Sequence, residues 1–275
     1  MKKNSIKIVD HFLSKEEFVV VSSKHNGILE TRPKPSFENL PKYYDSPEYF
    51  SHNKNNSFFS FIYSLVKKGN FKFKLRVLRR FSSGLNTVLD FGCGDGSFLE
   101  GLNNKNIEAY GFEPLLNNDL ANVCNDPKAL SKFDNGFFDA ITMWHSLEHV
   151  NSYTETISLL KPLIKQKGLL VIACPNYKSW DANHYKEYWA GYDAPRHIWH
   201  FSPTGLISFL ESKGFVFLKR KMMFFDAFYV CMLSEKFKGT KLWFLKGFIL
   251  GLYSNYISLF TKNPSSSVFV FQNQI

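Results

Sequence analysis

The sequence is short of cysteine, of long charge runs and of uninterrupted apolar stretches, and each shortage removes a class of protein. Its four cysteines, Cys93, Cys124, Cys174 and Cys231, stand far apart with no C-x-x-C pair. That spacing excludes a disulfide scaffold or a paired-thiolate zinc site. Three of them lie in or beside apolar, strand-like runs and read as small buried residues in a reducing compartment. The N-terminus begins basic but lacks an apolar core and a small-residue cleavage site, so no signal peptide is expected and the chain reads as cytoplasmic. Residues 242–260 come nearest to a membrane span in length. Lys246, Ser254, Asn255 and Ser258 interrupt them, and a charge or amide at mid-span is costly in lipid. A buried or amphipathic helix is expected there, with contact to a membrane surface through 242–260 as the second reading.

Acid is also in deficit. The 24 Asp and Glu face 34 Lys and Arg, a net charge of +10, which permits attraction to nucleic acid, anionic lipid or an acidic substrate. The lysines are scattered, with no run of five or more, whereas a nucleic-acid footprint is clustered; nucleic acid is therefore not the expected partner. What the sequence has in quantity is aromatic carbon. With 29 Phe and 17% aromatics there is enough to build a thick core and line a pocket besides.

Along the chain, residues 1–55 are mixed. A short β-like run at 18–21 precedes Pro33, Pro35, Pro41 and Pro47 with polar spacers, the texture of an ordered extended arm. Residues 57–82 carry apolar positions at helical spacing (Phe58, Phe61, Ile62, Leu65, Leu75, Leu78), and Gly69-Asn70 predicts a break between two helices. From residue 87 the texture alternates. Strands are expected at 87–91, 108–112, 138–144, 168–174, 215–222 and 267–272, and helices at 98–102, 153–164 and 202–213. Ser202 stands where an N-cap belongs, with Pro203 at the first helical position. Strand and helix in alternation predict an α/β fold: a Rossmann-like, seven-stranded, mostly parallel sheet with helices on both faces, the last strand antiparallel. Residues 1–82 are expected as an N-terminal arm and helical extension. The main domain is expected over 83–275, with a helical insertion at 224–266 before the last strand.

The strongest chemical signal is Val88-Leu89-Asp90-Phe91-Gly92-Cys93-Gly94-Asp95-Gly96-Ser97. A hydrophobic strand runs through glycines straight into a helix. The glycines let the backbone turn tightly and let a ligand lie against the main chain, and the helix start offers N–H groups to an anion. About 20 residues on, a second strand ends in Gly111-Phe112-Glu113-Pro114, an acid placed to accept from both hydroxyls of a ribose. Together they predict a nucleoside-containing cofactor. The dinucleotide fingerprint G-x-G-x-x-G is not matched, because Ser97 holds the third glycine's place.

The pattern D-x-G-C-G-x-G, with Asp90 just ahead of the glycines, resembles class I S-adenosylmethionine-dependent methyltransferases. Phe138 to Val150, ending in Leu147-Glu148-His149, is similar to that family's fourth-strand motif, and Lys167-Gly168 through Pro175-Asn176 to its fifth-strand segment. Asp193-Ala194-Pro195-Arg196-His197-Ile198-Trp199-His200-Phe201-Ser202-Pro203 resembles a stretch of the bacterial branch related to ubiquinone-biosynthesis-type methyltransferases. The resemblance covers roughly residues 85–222. It implies S-adenosyl-L-methionine as cofactor, with Gly92, Cys93 and Gly94 along its methionine part and Asp90 at its ammonium or a nearby water. Glu113 would hold the ribose, Pro114 would border the adenine, and Trp144 and His145 would lie near the sulfonium and the acceptor. Residues 124–130 would supply the adenine contact. The reaction implied is methyl transfer to a small-molecule acceptor, oxygen first, of lipid-, quinone- or sugar-like character. An RNA methyltransferase, a non-catalytic cofactor-binding protein and a nicotinamide-dependent oxidoreductase are the rival readings. Composition does not address oligomeric state.

Histidines are the remaining chemistry. His145, His197 and His200 are the candidate catalytic residues, since imidazole is a base near neutral pH. His145, Glu148 and His149 are spaced i, i+3, i+4 and are expected at the start of a helix, on one face. Plant small-RNA methyltransferases and some ubiquinone-pathway enzymes resemble this stretch with Glu at the place of His145, and there it binds metal. The His suits zinc or another transition metal better than magnesium. Structural roles for Glu148 and His149 are the simpler reading, and no metal ligand is assigned. Arg196 is suited to a carboxylate or phosphate. Tyr43, Tyr44, Tyr49 and His52 read equally as a lid or as packing. The Phe-rich segment 224–260 is expected to roof an acceptor pocket.

Overall fold

The computed structural model describes residues 5–36, 39, 41–44, 57–82, 84–115 and 120–274, the side chains of 41 and 57–68 excepted. Tyr49 and His52 lie outside the described residues. Eleven strands are present among them: β1 (Ile6–Val9), β2 (Glu17–Ser22), β3 (Ile28–Arg32), β4 (Thr87–Phe91), β5 (Glu108–Phe112), β6 (Val123–Cys124), β7 (Phe138–Trp144), β8 (Ile164–Pro175), β9 (Trp199–Phe201), β10 (Phe215–Met222) and β11 (Ser266–Asn273). The α-helices are α1 (Ser57–Phe81), α2 (Ser97–Asn103), α3 (Tyr153–Leu160), α4 (Trp180–Tyr185), α5 (Pro203–Ser212), α6 (Phe224–Phe237) and α7 (Trp243–Thr261).

Seven strands form one sheet in the order β10-β11-β8-β7-β4-β5-β6, and β4 runs parallel to both β5 and β7. β11 reverses direction. Its start lies beside the end of β8, where Asn176 donates its N–H to the Ser265 carbonyl. Its end lies beside the start of β8, where the Asn273 amide donates to the Ile164 carbonyl at 2.9 Å. The expected Rossmann-like α/β fold is the observed one. Strands at 87–91, 108–112, 138–144 and 215–222 coincide end to end with the reading from sequence, because each is a short β-prone run bounded by turn residues.

The described chain packs as two compact units, one of residues 1–44, 145–156 and 172–270 and the other of residues 45–144, 157–171 and 271–275. In the second unit the core is the sheet's interior: Val88, Leu89, Ala140 and Ile141 are inaccessible to solvent. Register decides which polar groups meet there. Asp90 lies opposite Thr142 on β7 and opposite Gly111 on β5. α1 is a single helix of 25 residues, so the break expected at Gly69-Asn70 is absent. A lone glycine weakens a helix by about 1 kcal/mol without ending it, and here Leu75, Val77 and Leu78 anchor the following turns by burial.

In the first unit the mixed N-terminal segment is more ordered than its composition suggests. β1, β2 and β3 form an antiparallel meander, and β9 completes its edge. Asp10 ends β1 by accepting from the N–H groups of Phe12, Leu13 and Ser14, fixing the turn into β2. Ser202 caps α5 as expected, its hydroxyl accepting from the Gly205 N–H at 3.0 Å. The expected helical insertion at 224–266 is α6 and α7. Their seam is made of small residues: a β-carbon on Gly247 would stand 2.3 Å from the Met232 Cα, and one on Gly251 would stand 2.8 Å from the Phe228 Cα.

Candidate functional site

Two constellations carry chemistry, one in each unit. The first is built where β4 and β5 end. Gly92, Gly94 and Gly96 all have positive φ (84°, 55° and 72°), a conformation that costs glycine nothing. A β-carbon on Gly94 would meet nothing within 4 Å, so the backbone there borders open space. The Gly92 and Cys93 N–H groups are tied back to the Phe112 carbonyl, which joins the loop to the end of β5. Glu113 accepts from the Gly94 N–H at 3.0 Å. Pro114, beside it, is exposed. The Cys93 side chain is buried, and burial pushes its thiol up to about 12, so it acts as packing and not as a nucleophile.

Asp90 sits at the floor of this cradle. It is 2% exposed and accepts from the Thr142 hydroxyl at 2.6 Å, the consequence of the β4–β7 register. Burial raises its pKa to about 6, while Lys74 and Thr142 pull the other way. Lys74 of α1 reaches the same place, its ammonium 4.8 Å from the ring centroids of both Phe98 and Trp144. Burial lowers the Lys74 pKa against the pull of Asp90 and Asp95. The indole N–H of buried Trp144 has no hydrogen-bond partner, an arrangement suited to a bound ligand that accepts from it. Lys74 and Thr142 escaped the reading from sequence. Lys74 stands in a helix 16 residues before Asp90, where no motif signals it, and Thr142 is brought in by strand register alone.

The second constellation follows β7 in the chain. The helix expected at 145–149 is a turn. His145 lies in the left-handed region at φ 54°, which reverses the chain, and the His149 N–H closes a single turn on the Ser146 carbonyl. His145 is gripped at both nitrogens: Nδ1 is 3.4 Å from Glu148 and Nε2 is 3.2 Å from Asp226. Burial opposes its charge, but Asp226 and Glu148 outweigh burial and push its pKa up to about 10. Both ring nitrogens face carboxylates, which favours the charged imidazolium.

Glu148, His149 and His197 come together instead, with ligand atoms within 4.8 Å of one another. Glu148 is 1% exposed, and neither carboxylate oxygen has a hydrogen-bond partner. His149 Nδ1 lies 3.0 Å from the Arg196 carbonyl and His197 Nδ1 lies 2.9 Å from the Gly191 carbonyl. A carbonyl only accepts, so each Nδ1 carries the proton and each Nε2 keeps its lone pair. Tyr44, one of the lid-or-packing tyrosines, places its hydroxyl 2.9 Å from His149 Nδ1. Tyr43 is buried and donates to Glu16 at 2.6 Å.

His200 is occupied elsewhere. The Thr31 hydroxyl gives its one proton to the His197 carbonyl at 2.8 Å, so His200 Nε2, 2.8 Å from the same oxygen, is the donor to it. Burial depresses the His200 pKa to about 3, and the chain His200–Thr31–His197 fixes the backbone that carries His197. Arg196 is buried and fully engaged within the protein, with Asp10 at 2.9 Å and Asp193 at 2.7 Å.

The family model described as "Methyltransferase domain" matches residues 58–219, more than half of the chain. This chain belongs to the methyltransferase-domain family. No curated protein sequence matches it. Among solved structures, the methyltransferase is similar to an S-adenosylmethionine-dependent methyltransferase from Archaeoglobus fulgidus, at 20% identity and a TM-score of 0.50 over 79% of this chain and all of the other. It is similar also to phosphoethanolamine N-methyltransferase 2 of Haemonchus contortus in complex with S-adenosyl-L-methionine, at 16% identity and a TM-score of 0.55 over all of this chain and 68% of the other. Membership in the methyltransferase-domain family sets aside the rival nicotinamide-dependent reading.

Proposed function

We propose that the enzyme transfers the methyl group of S-adenosylmethionine to an oxygen of a small-molecule acceptor, of lipid-, quinone- or sugar-like character. Bound S-adenosylmethionine supplies a sulfonium methyl group that a positioned nucleophile displaces. Gly92, Cys93 and Gly94 border its methionine part, Asp90 faces its ammonium, and Lys74 is suited to its carboxylate. Glu113 accepts from the ribose hydroxyls and Pro114 flanks the adenine. Trp144 offers its unpartnered indole N–H. An oxygen acceptor must lose a proton, and the observation that carries this reading is His197, whose Nε2 lone pair is left free by the Nδ1 bond to Gly191. His145 acts as a cation beside Glu148, and His200 positions His197 through Thr31.

Titration calorimetry with S-adenosylhomocysteine tests the cofactor assignment. Micromolar binding is expected, weakened at least roughly tenfold in Glu113→Ala through loss of a charge-assisted bidentate acceptor, with no heat from NADH. Equal binding by Glu113→Ala would remove the ribose role from that residue.

One observation favours a second reading, in which His197 Nε2 binds a metal ion and is not the base. A buried carboxylate whose oxygens make no hydrogen bond, with His145 Nδ1 at 3.4 Å, stands next to two imidazoles whose other nitrogens donate to carbonyls, the outer-shell arrangement of a metal ligand set. Glu148, His149 and His197 would hold a transition-metal ion, which when bound lowers the pKa of an acceptor hydroxyl. Equilibrium dialysis with Co²⁺ is expected to give one bound ion per chain with visible d–d absorption, lost in His197→Ala. No uptake by the wild-type protein would leave His197 as a metal-free base.

A further inference from the structure

The helical hairpin α6–α7 is built inside out. In α7, Gly247 and Gly251 pack against α6, and together with Ser254, which donates to Asp181, and Ser258 they make up its buried side. Ten large apolar side chains of the same helix are exposed, among them Phe244 at 62%, Leu245 at 55%, Leu252 at 50% and Phe260 at 69%. At 100° per residue the outward set from Phe244 through Phe248, Leu252 and Ile249 to Tyr253 sweeps about half the helix circumference without a charge. A helix stabilised by water-driven burial shows the opposite order. Small residues at the helix–helix seam with large apolar residues outward is the pattern of helices packed in lipid, where backbones approach closely and hydrocarbon covers the rest. No helix of the described residues is long and apolar enough to cross a membrane, and Lys246 and Asn255 stand within α7.

Charge around this face is one-sided. The last turn of α6 and its connection to α7 present Lys236, Lys238 and Lys241, all exposed, next to Leu242 at 68% exposure and Trp243. The two acids of the hairpin point elsewhere: Glu235 is buried against Lys246 and Thr240, and Asp226 holds His145. A rim of lysine and Trp beside an apolar face is complementary to the headgroup level of an anionic bilayer. A convex apolar surface sweeping half a helix is wider than one flat protein face covers, whereas fluid acyl chains fill it.

We propose that the α6–α7 hairpin is an interfacial anchor, lying in one leaflet of an anionic lipid bilayer with the outward face of α7 among the acyl chains and the 236–241 lysines at the phosphates. This surface rests on no part of the methyl-transfer reading. The test is co-sedimentation of the full-length protein with vesicles of phosphatidylglycerol and phosphatidylcholine, against phosphatidylcholine alone. Partitioning roughly tenfold stronger onto the anionic vesicles is expected. The double variant Leu245→Glu, Leu252→Glu, altered only on exposed positions, is expected to lose it while keeping the wild-type circular dichroism and melting temperature. Light scattering without lipid is expected to give the same mass for both proteins. Binding unchanged in the double variant would mean charge attraction without insertion and would overturn the anchor. So would absence of binding to either vesicle, or a lipid-free dimer that the double variant splits, which would assign the face to a second copy of the chain.

Discussion

Asp90 shows how one residue combines motif and environment. Its place before the glycines was legible in the sequence, but its protonation was not, because that depends on complete burial and on Thr142 and Lys74, which the fold brings up. With its folded pKa raised to about 6, above the ordinary carboxylate value, ionisation opposes folding. The stability from this group is greatest below the unfolded value and is lost as pH rises toward 6. A bound ammonium reverses that preference. Affinity for S-adenosylhomocysteine is therefore expected to rise between pH 5 and 6 by up to roughly tenfold, with proton release, and to level off above. Calorimetry at each pH in two buffers of different ionisation enthalpy measures both, and Asp90→Asn is expected to bind weakly with no such dependence. At the histidines the residue types were legible and the partnership was not. His145, Glu148 and His149 stand together in sequence, yet the left-handed His145 is held between Glu148 and Asp226, and it is His197 that joins Glu148 and His149 as a third possible ligand.

Among the elements, β4, β5, β7 and β10 were read to the residue, since a short β-prone run between turn signals has few alternatives, while β8 begins four residues before the expected Gly168 and β6 was not anticipated. Glycine was the element-scale difficulty, because its meaning depends on what stands next to it. Gly69 looked like a helix break and is an exposed position inside α1 with nothing within 4 Å of a β-carbon. Gly247 drew no reading from the sequence and is the contact point of α6 and α7. Urea unfolding separates the two. Gly69→Ala is expected to stabilise by about 0.5–1 kcal/mol, the difference in helix propensity. Gly247→Val must push Met232 backbone atoms aside and is expected to destabilise by about 1–3 kcal/mol. In segment 224–260 the apolar content was visible in the sequence, but the side of each helix left exposed was not.

For the whole molecule, Arg196 is the clearest case of a residue whose role follows from the chain path. Its guanidinium binds Asp10 at the end of β1, the Tyr43 carbonyl and Asp193, tying together three distant parts of the first unit. Burial raises the Asp10 pKa, but Arg196 and Ser14 outweigh it and hold the carboxyl below its ordinary value. The stabilisation is present above the unfolded carboxylate pKa and is lost as pH falls through the lower folded one. Arg196→Met leaves the buried Asp10 without a counter-charge, and is expected to lose about 3–5 kcal/mol of stability at pH 7. Chemical denaturation from pH 7 down to pH 3 should show the wild type losing more stability than the variant over the acid range.

The sequence by itself determined the α/β class, the strand positions, the glycine cradle with Asp90 and Glu113, and the family resemblance. These rest on local periodicity and on motifs that are contiguous in the chain. Tertiary structure alone decided that Lys74 and Thr142 belong to Asp90, that His197 and not His145 completes the pair of Glu148 and His149, that the N-terminal segment is a meander closed by β9, and that α7 turns its apolar side outward. Each of these is a meeting between residues distant in sequence, or the choice of which helix face is covered. Both are set by where the chain returns, which no local pattern encodes.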